Sequence, residues 1–178
     1  EISACLVGSE MCIRDSDHTE LFRGYEFALP TFNSLSIETM LWNIPSISDY
    51  FIYLNDDFFF NQPSDLQDFL IDSQMVMYGH WESNLVKKIK YIVRKFVQNK
   101  FGKLAQPSYT MAQMLSADCV GMSQYFEIHH RPHILSRILL CNYFEKNMQQ
   151  LQKQISFKFR NIDQILPCLL YTSDAADE

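Results

Sequence analysis

The chain lacks most of the features that place a protein at first sight. No apolar run reaches the roughly 18 residues that a membrane-spanning helix needs. There is no internal repeat, no low-complexity tract and no Gly/Ser linker, which leaves repeat architectures and flexibly tethered modules without support. No Gly-rich phosphate loop, no Ser-His-Asp order and no nucleic-acid-binding motif occurs. What remains is an ordinary globular composition. Hydrophobic residues make up 47% and charged residues 20% of 178 residues, enough for one domain with a sizeable core.

Cysteine is also scarce where it counts. Both ends, EISACLVGSEMCIRDS at 1–16 and CLLYTSDAADE at 168–178, resemble translated sequencing-adapter read-through, and both are expected to be non-native. Setting them aside leaves 17–167 as the informative domain, with a net charge of about −1 in place of the −6 of the whole chain. Only Cys119 and Cys141 fall inside it. Two such cysteines make no disulfide framework and suit a reducing, cytoplasmic compartment. Nothing in the charge favours nucleic acid as a partner.

Local pattern supplies a coarse map. Ser34 can cap a helix whose apolar residues Ile37, Met40 and Leu41 fall at helical spacing. Tyr50-Phe51-Ile52-Tyr53-Leu54 reads as a buried strand. Ser64 with Gln67 forms a capping box for a short helix over Asp65–Ile71, and 74–79 reads as another strand. The clearest helix runs from Ser83 to Gly102, with Leu85, Ile89, Ile92 or Val93, and Phe96 in one stripe and Gly102 as its stop. A helical stretch over 109–119 follows. Pro132 reads as the opening of a helix that runs to about Met148, Phe157–Arg160 alternates as a strand would, and Asn161 with Gln164 reads as a further helix start. Helices alternating with a few buried strands predict an α/β domain.

Several residues on this map could carry chemistry. Asn55-Asp56-Asp57 directly follows the apolar strand, and adjacent carboxylates at the carboxyl end of a strand suit a divalent cation and, through it, a diphosphate. The same three residues also serve simply to end a strand in a turn. Glu38 lies early in its helix, where the N-terminal dipole alone favours a carboxylate; Asn33 carries less signal still. His129-His130-Arg131-Pro132-His133, with Arg137 one turn later, concentrates imidazoles able to serve as a base near neutral pH, although a polar loop before a helix would look the same. No accompanying ligand set points to zinc. Arg160 offers a fork for a phosphate, or is a surface arginine. Lys87, Lys88, Lys90, Arg94, Lys95 and Lys100 make the helix 83–102 basic, either as a solvated face or as a contact for anionic lipid or a polyanionic acceptor.

In this order and spacing the residues resemble the Stealth family of hexose-1-phosphate transferases, bacterial capsule-polymer enzymes among them. Leu29-Pro30-Thr31-Phe32-Asn33-Ser34, Ile37-Glu38 and Phe51 to Phe60 match the second of its four signature regions. His130-Arg131-Pro132-His133 with Arg137, then Phe157 to Arg160, match the third. The first and fourth regions have no counterpart here, so the isolated chain is expected to be inactive. The resemblance implies a glycosyltransferase-A-like α/β catalytic domain, incomplete, with a helical insertion at about 83–125. It implies transfer of hexose-1-phosphate from a UDP-sugar donor to a glycan acceptor, with release of UMP, in capsular or exopolysaccharide synthesis. It further implies a Mg2+ or Mn2+ ion held by Glu38 and Asp57, catalytic roles for His130 (the base), Arg160, Asp56 and Asp57, and substrate contacts from Asn33, Asn55, His133 and Arg137. Two other readings stand beside it. One is a glycosyltransferase that releases UDP; the other is a non-catalytic capsule-assembly or glycan-binding module that uses the basic helix. The expected location is cytoplasmic, peripheral at the inner face of a bacterial membrane.

Overall fold

Local sequence chemistry sets most element boundaries, and long-range strand pairing sets the rest. A computed structural model describes residues 15–55, 58–72, 74–102, 104–129 and 131–170. Its helices are α1 (His18–Leu21), α2 (Ser34–Met40), α3 (Asn84–Phe101), α4 (Tyr109–Cys119), α5 (Arg137–Lys146) and α6 (Met148–Ser156). Its strands are β1 (Tyr50–Tyr53), β2 (Leu70–Ile71), β3 (Gln74–Met75), β4 (Gly79–Ser83), β5 (Gln124–Ile128) and β6 (His133–Ser136). They pair as three antiparallel ribbons, β1 with β6, β2 with β3, and β4 with β5. The architecture is thus a mixture of helices and short strands, and among the described residues each strand has one neighbour.

Caps fix the helix starts. Asn33, not Ser34, is the N-cap of α2: its side-chain oxygen accepts from Leu35 N while its backbone stays extended. Ser83 caps α3 and Ser136 caps α5 in the same way. At the far end of α3, Gly102 takes a left-handed φ of 65° and donates its N–H to Gln98 O, a helix stop that a side chain would strain.

Six expectations are corrected. β1 forms where expected but is not a buried strand: Tyr50 and Ile52 are exposed and Phe51 and Tyr53 half-buried. Pro132 opens no helix: it precedes β6, whose residues pair with β1 in the register Tyr50↔Ser136 to Tyr53↔His133, and α5 begins only at Arg137. Phe157–Arg160 forms no strand; the stretch leaves α6 as irregular chain, as do Asn161 and Gln164, which begin no α-helix. The helix over Asp65–Ile71 shrinks to a 3-10 turn at Leu66–Asp68 followed by β2. The strand over 74–79 divides into β3 and the start of β4.

The main core gathers Phe22, Met40, Leu135, Phe144, Leu151 and Ile155, all fully buried. Cys168, Leu169 and Leu170, at the start of the segment set aside above, also lie in this core. Beneath α2 runs a buried polar network. Gln154 Nε2 donates to Thr39 Oγ1 and to Ile165 O, and Gln154 Oε1 accepts from Ile165 N. Gln164 Nε2 donates to Gln154 O. Every such buried group finds a partner, as burial demands, and the network locks α6 and the chain after Asn161 onto α2. A second, smaller cluster of Met111, Met114, Ala117 and Tyr125 holds α4 against β5. The helices α3 and α4 leave and rejoin the body between β4 and β5, with Ser83 opposite Gln124. The expected insertion therefore has its two ends side by side.

Candidate functional site

Elements of the body and of the inserted arm converge on one cavity of about 90 Å³. From α2 and its N-terminus come Ser34 and Glu38, from β1 and its end Tyr53 and Asn55, from the approach to β6 Arg131 and His133, from α4 Tyr109, and from the chain after α6 Arg160 and Asn161. Four residues singled out in the sequence, Glu38, Asn55, His133 and Arg160, thus share a single site although they lie far apart along the chain. Antiparallel pairing is the cause for two of them. Tyr53 stands opposite His133 in the ribbon, their rings edge to face at 5.4 Å, and Asn55 follows two residues later, its Oδ1 accepting from Tyr53 Oη at 2.8 Å.

Glu38 is the buried acid of the cavity. It is 5% exposed, and its Oε1 has no hydrogen-bond partner among the described residues. Burial pushes its carboxyl up to about 8, against a partial pull downward from the Arg160 guanidinium. A carboxylate so placed needs a compensating cation or proton, which is more than a helix-dipole preference explains. Arg160 is itself exposed and anchored: its Nε and Nη2 both donate to Ser34 Oγ, at 3.1 and 2.8 Å. His133 Nδ1 lies 3.0 Å from Arg131 O. A carbonyl only accepts, so Nδ1 carries a proton.

The remaining expected site residues divide into two groups. Asp56, Asp57 and His130 lie outside the described residues, although their neighbours Asn55 and Arg131 both line the cavity. Asn33 and Arg137 are described and do not line it. Asn33 is fully buried and spends its side chain on Leu35 N, Phe157 O and Gln164 Oε1, so it shapes the floor under the site rather than meeting a ligand. Arg137 donates to Trp42 O and pairs with Asp49 at 3.9 Å, tying the start of α5 to the start of β1. Sequence reasoning missed Tyr109, whose phenol burial holds well above its usual range, with Cys168 and Glu38 adding to the effect. The signal available was Pro107-Ser108, a helix-start pair that delivers the next side chain at a helix N-terminus.

A metal can be tested against the donors present. Glu38, His133 and Cys168 offer ligand atoms within 4.8 Å of one another, all buried. Glu38 fits a hard cation such as Mg2+ or Mn2+, being an oxygen donor with one buried, unpartnered atom. The imidazole and thiol beside it are softer and favour a zinc-like ion, so the fit to Mg2+ rests on the carboxylate.

Comparison with known proteins identifies the setting. Residues 6–77, the stretch holding Asn33, Glu38 and Asn55-Asp56-Asp57, match the family model described as Stealth protein CR2, conserved region 2. Residues 6–77 thus carry the second conserved region of the Stealth family. The match opens at residue 6, inside the leading segment read above as non-native. An exopolysaccharide phosphotransferase of Streptomyces coelicolor is 48% identical over 59 residues, 33% of this chain and 10% of that protein. The capsular polysaccharide phosphotransferase SacB of Neisseria meningitidis serogroup A is 29% identical over 143 residues, 78% of this chain and 24% of its own length. The receptor polysaccharide phosphotransferase WefC of Streptococcus oralis is 24% identical over 163 residues, 82% of this chain and 48% of its own. The chain thus spans between a tenth and about half the length of these relatives, each of which is named a polysaccharide phosphotransferase.

Proposed function

We propose that the protein to which this chain belongs transfers hexose-1-phosphate from a UDP-sugar to a glycan hydroxyl and releases UMP, in capsular or exopolysaccharide synthesis. The observation that carries this reading is the convergence of the buried Glu38, the anchored Arg160, Asn55 and the Arg131–His133 approach on one cavity. Relatives named as polysaccharide phosphotransferases support it. The catalytic domain would be glycosyltransferase-A-like, completed by sequence that those relatives carry beyond the matched stretch.

The roles follow from charge. Phosphoryl transfer builds negative charge on the phosphoryl oxygens, and catalysis consists mainly of positioning and electrostatic stabilisation. Arg160, held in place by Ser34, presents a cation to those oxygens. His130 takes the proton from the attacking hydroxyl, whose oxygen bonds the β-phosphorus as the bond from that phosphorus to the bridging oxygen breaks, and UMP departs with the bridging oxygen. Asn55 and His133 hold the substrate. Glu38 and Asp57, with Asp56 beside it in sequence, would hold a Mg2+ or Mn2+ ion, which when bound neutralises diphosphate charge.

The test is product analysis on a full-length parent protein given a panel of UDP-hexoses and a glycan acceptor. UMP is the expected nucleotide product, and UDP would replace phosphoryl transfer by glycosyl transfer. His130→Ala and Glu38→Ala are each expected to lower turnover by roughly two orders of magnitude or more, the usual worth of a positioned general base. Unchanged rates in both variants would instead favour a non-catalytic module.

A further inference from the structure

The helix α3 is built inside out. On an 18-residue helix with ~100° between successive residues, its inward side is polar: Asn84 is buried with its Nδ2 on Met122 O, Lys87 Nζ donates to Thr110 Oγ1, Lys88 pairs with Asp118, and Lys95 pairs with Asp163 at 2.9 Å. Tyr91 is the one α3 side chain packed on the small core of α4 and β5. The opposite side carries Leu85, Val86, Ile89, Ile92, Val93 and Phe96, each 53–65% exposed. Beyond the helix end Leu104 is 85% exposed. An apolar stripe of this length, displayed to water on its own chain, is an interaction surface.

Its charge selects the partner. The helix holds six basic residues and no acidic one. Those facing the body are used in holding the helix down, whereas Lys90 flanks the apolar stripe and Lys100 closes its far end one turn past Phe96, with Lys100 Nζ over the Phe96 and Phe101 rings at 5.7 and 5.5 Å. An apolar face edged by cations with aliphatic stems is what an anionic lipid surface takes up, the stripe entering the acyl boundary and the ammonium groups meeting headgroup phosphates. A protein partner with an apolar groove would ask for the stripe but not for one sign of charge at its edges. We propose that α3 lies in the plane of an anionic membrane surface and docks the protein there through its outward stripe, independently of the chemistry in the cavity.

The full 178-residue chain is to be sedimented with vesicles of phosphatidylcholine and phosphatidylglycerol in equal parts, and with phosphatidylcholine alone. Binding to the anionic vesicles, weakened by salt, is expected. Lys90→Glu with Lys100→Glu should weaken it on the order of tenfold or more, since each basic residue near such a surface contributes about 1 kcal/mol. Ile89→Glu with Val93→Glu should abolish it. A conservative Phe96→Trp variant guards against misfolding as an explanation: its emission should shift to the blue on anionic vesicles only. No shift and no co-sedimentation overturns the proposal. So does a dimer in sedimentation equilibrium that Ile89→Glu with Val93→Glu dissolves while vesicles go unbound, because the stripe then belongs to a second copy.

Discussion

Two amphipathic helices, α6 in the body and α3 in the inserted arm, put the same kind of pattern to opposite uses. In α6 the apolar residues Leu151 and Ile155 are fully buried, and Gln152 and Lys153 face out. In α3 only Asn84 is buried, and the apolar stripe faces out. Periodicity therefore reports that a helix has an apolar side, not which surface receives it. The deciding factor is elsewhere in the chain. α6 meets a body that supplies apolar partners and the Gln154 network, whereas α3 meets Asp118, Thr110 and Asp163, which accept its cations.

The contrast is broken most forcefully in the body. Phe144 is fully buried in the core, so Phe144→Ala leaves a cavity that the packed surroundings fill only in part, and should cost about 3–5 kcal/mol in urea unfolding. A loss below about 1 kcal/mol would mean that the body is loosely packed and that the two regions differ less than their burial indicates.

What could be read in advance follows the same division between local and distant causes. β1, the α3 boundaries with Ser83 and Gly102, and the span of α4 rest on caps, a glycine stop and short-range periodicity, all of which are written locally. β6 was hidden because its partner, β1, lies far upstream; Pro132 looked like a helix opener until pairing with Tyr50–Tyr53 claimed the next four residues. In the cavity, Glu38 was visible as a residue but not as a buried acid, since burial comes from packing that no single helix encodes. The resemblance implies substrate contacts at Asn33 and Arg137; in the structure both side chains join segments of the chain, a use that depends on distant partners.

The next effect concerns pH and belongs to the cavity alone. The folded carboxyl of Glu38 titrates at about 8 and the unfolded one near 4.5. Between those values the folded chain keeps a proton that the unfolded chain has released, so this contribution to stability is complete below the unfolded value and is lost as pH rises through the folded one. The loss runs at up to about 1.4 kcal/mol per pH unit. In chelator-treated protein, urea midpoints of wild type should therefore fall between about pH 5 and about pH 8 relative to Glu38→Gln, which carries no such proton. Parallel pH profiles for the two proteins would place Glu38 in contact with solvent.

Smaller again is the clasp between arm and body. Asp163 accepts from both Lys95 Nζ and Tyr91 Oη, the latter at 2.7 Å. Burial would raise its pKa, but those two donors outweigh it and the carboxyl stays below its ordinary value. Because Lys95 is partly exposed, Asp163→Asn should cost about 1 kcal/mol, seen as faster amide exchange in α3 with exchange in α6 unchanged. Equal acceleration in both helices would show that arm and body open as one unit.

The smallest effect is the most informative about the arm. Ile92 lies in the middle of the outward stripe and is 57% exposed. Its branched side chain gives up little by leaving, so Ile92→Gln should move the urea midpoint by no more than about 0.5 kcal/mol equivalent. Glutamine is also the better helix former of the two, which opposes even that small loss. The same substitution at a buried aliphatic position such as Leu151 would remove core contacts and bury an amide without partners, so the pair of measurements isolates the surface each stripe faces. If Ile92→Gln costs as much as Leu151→Gln, the α3 stripe is packed against protein in solution, and a lipid surface has no role left to explain it.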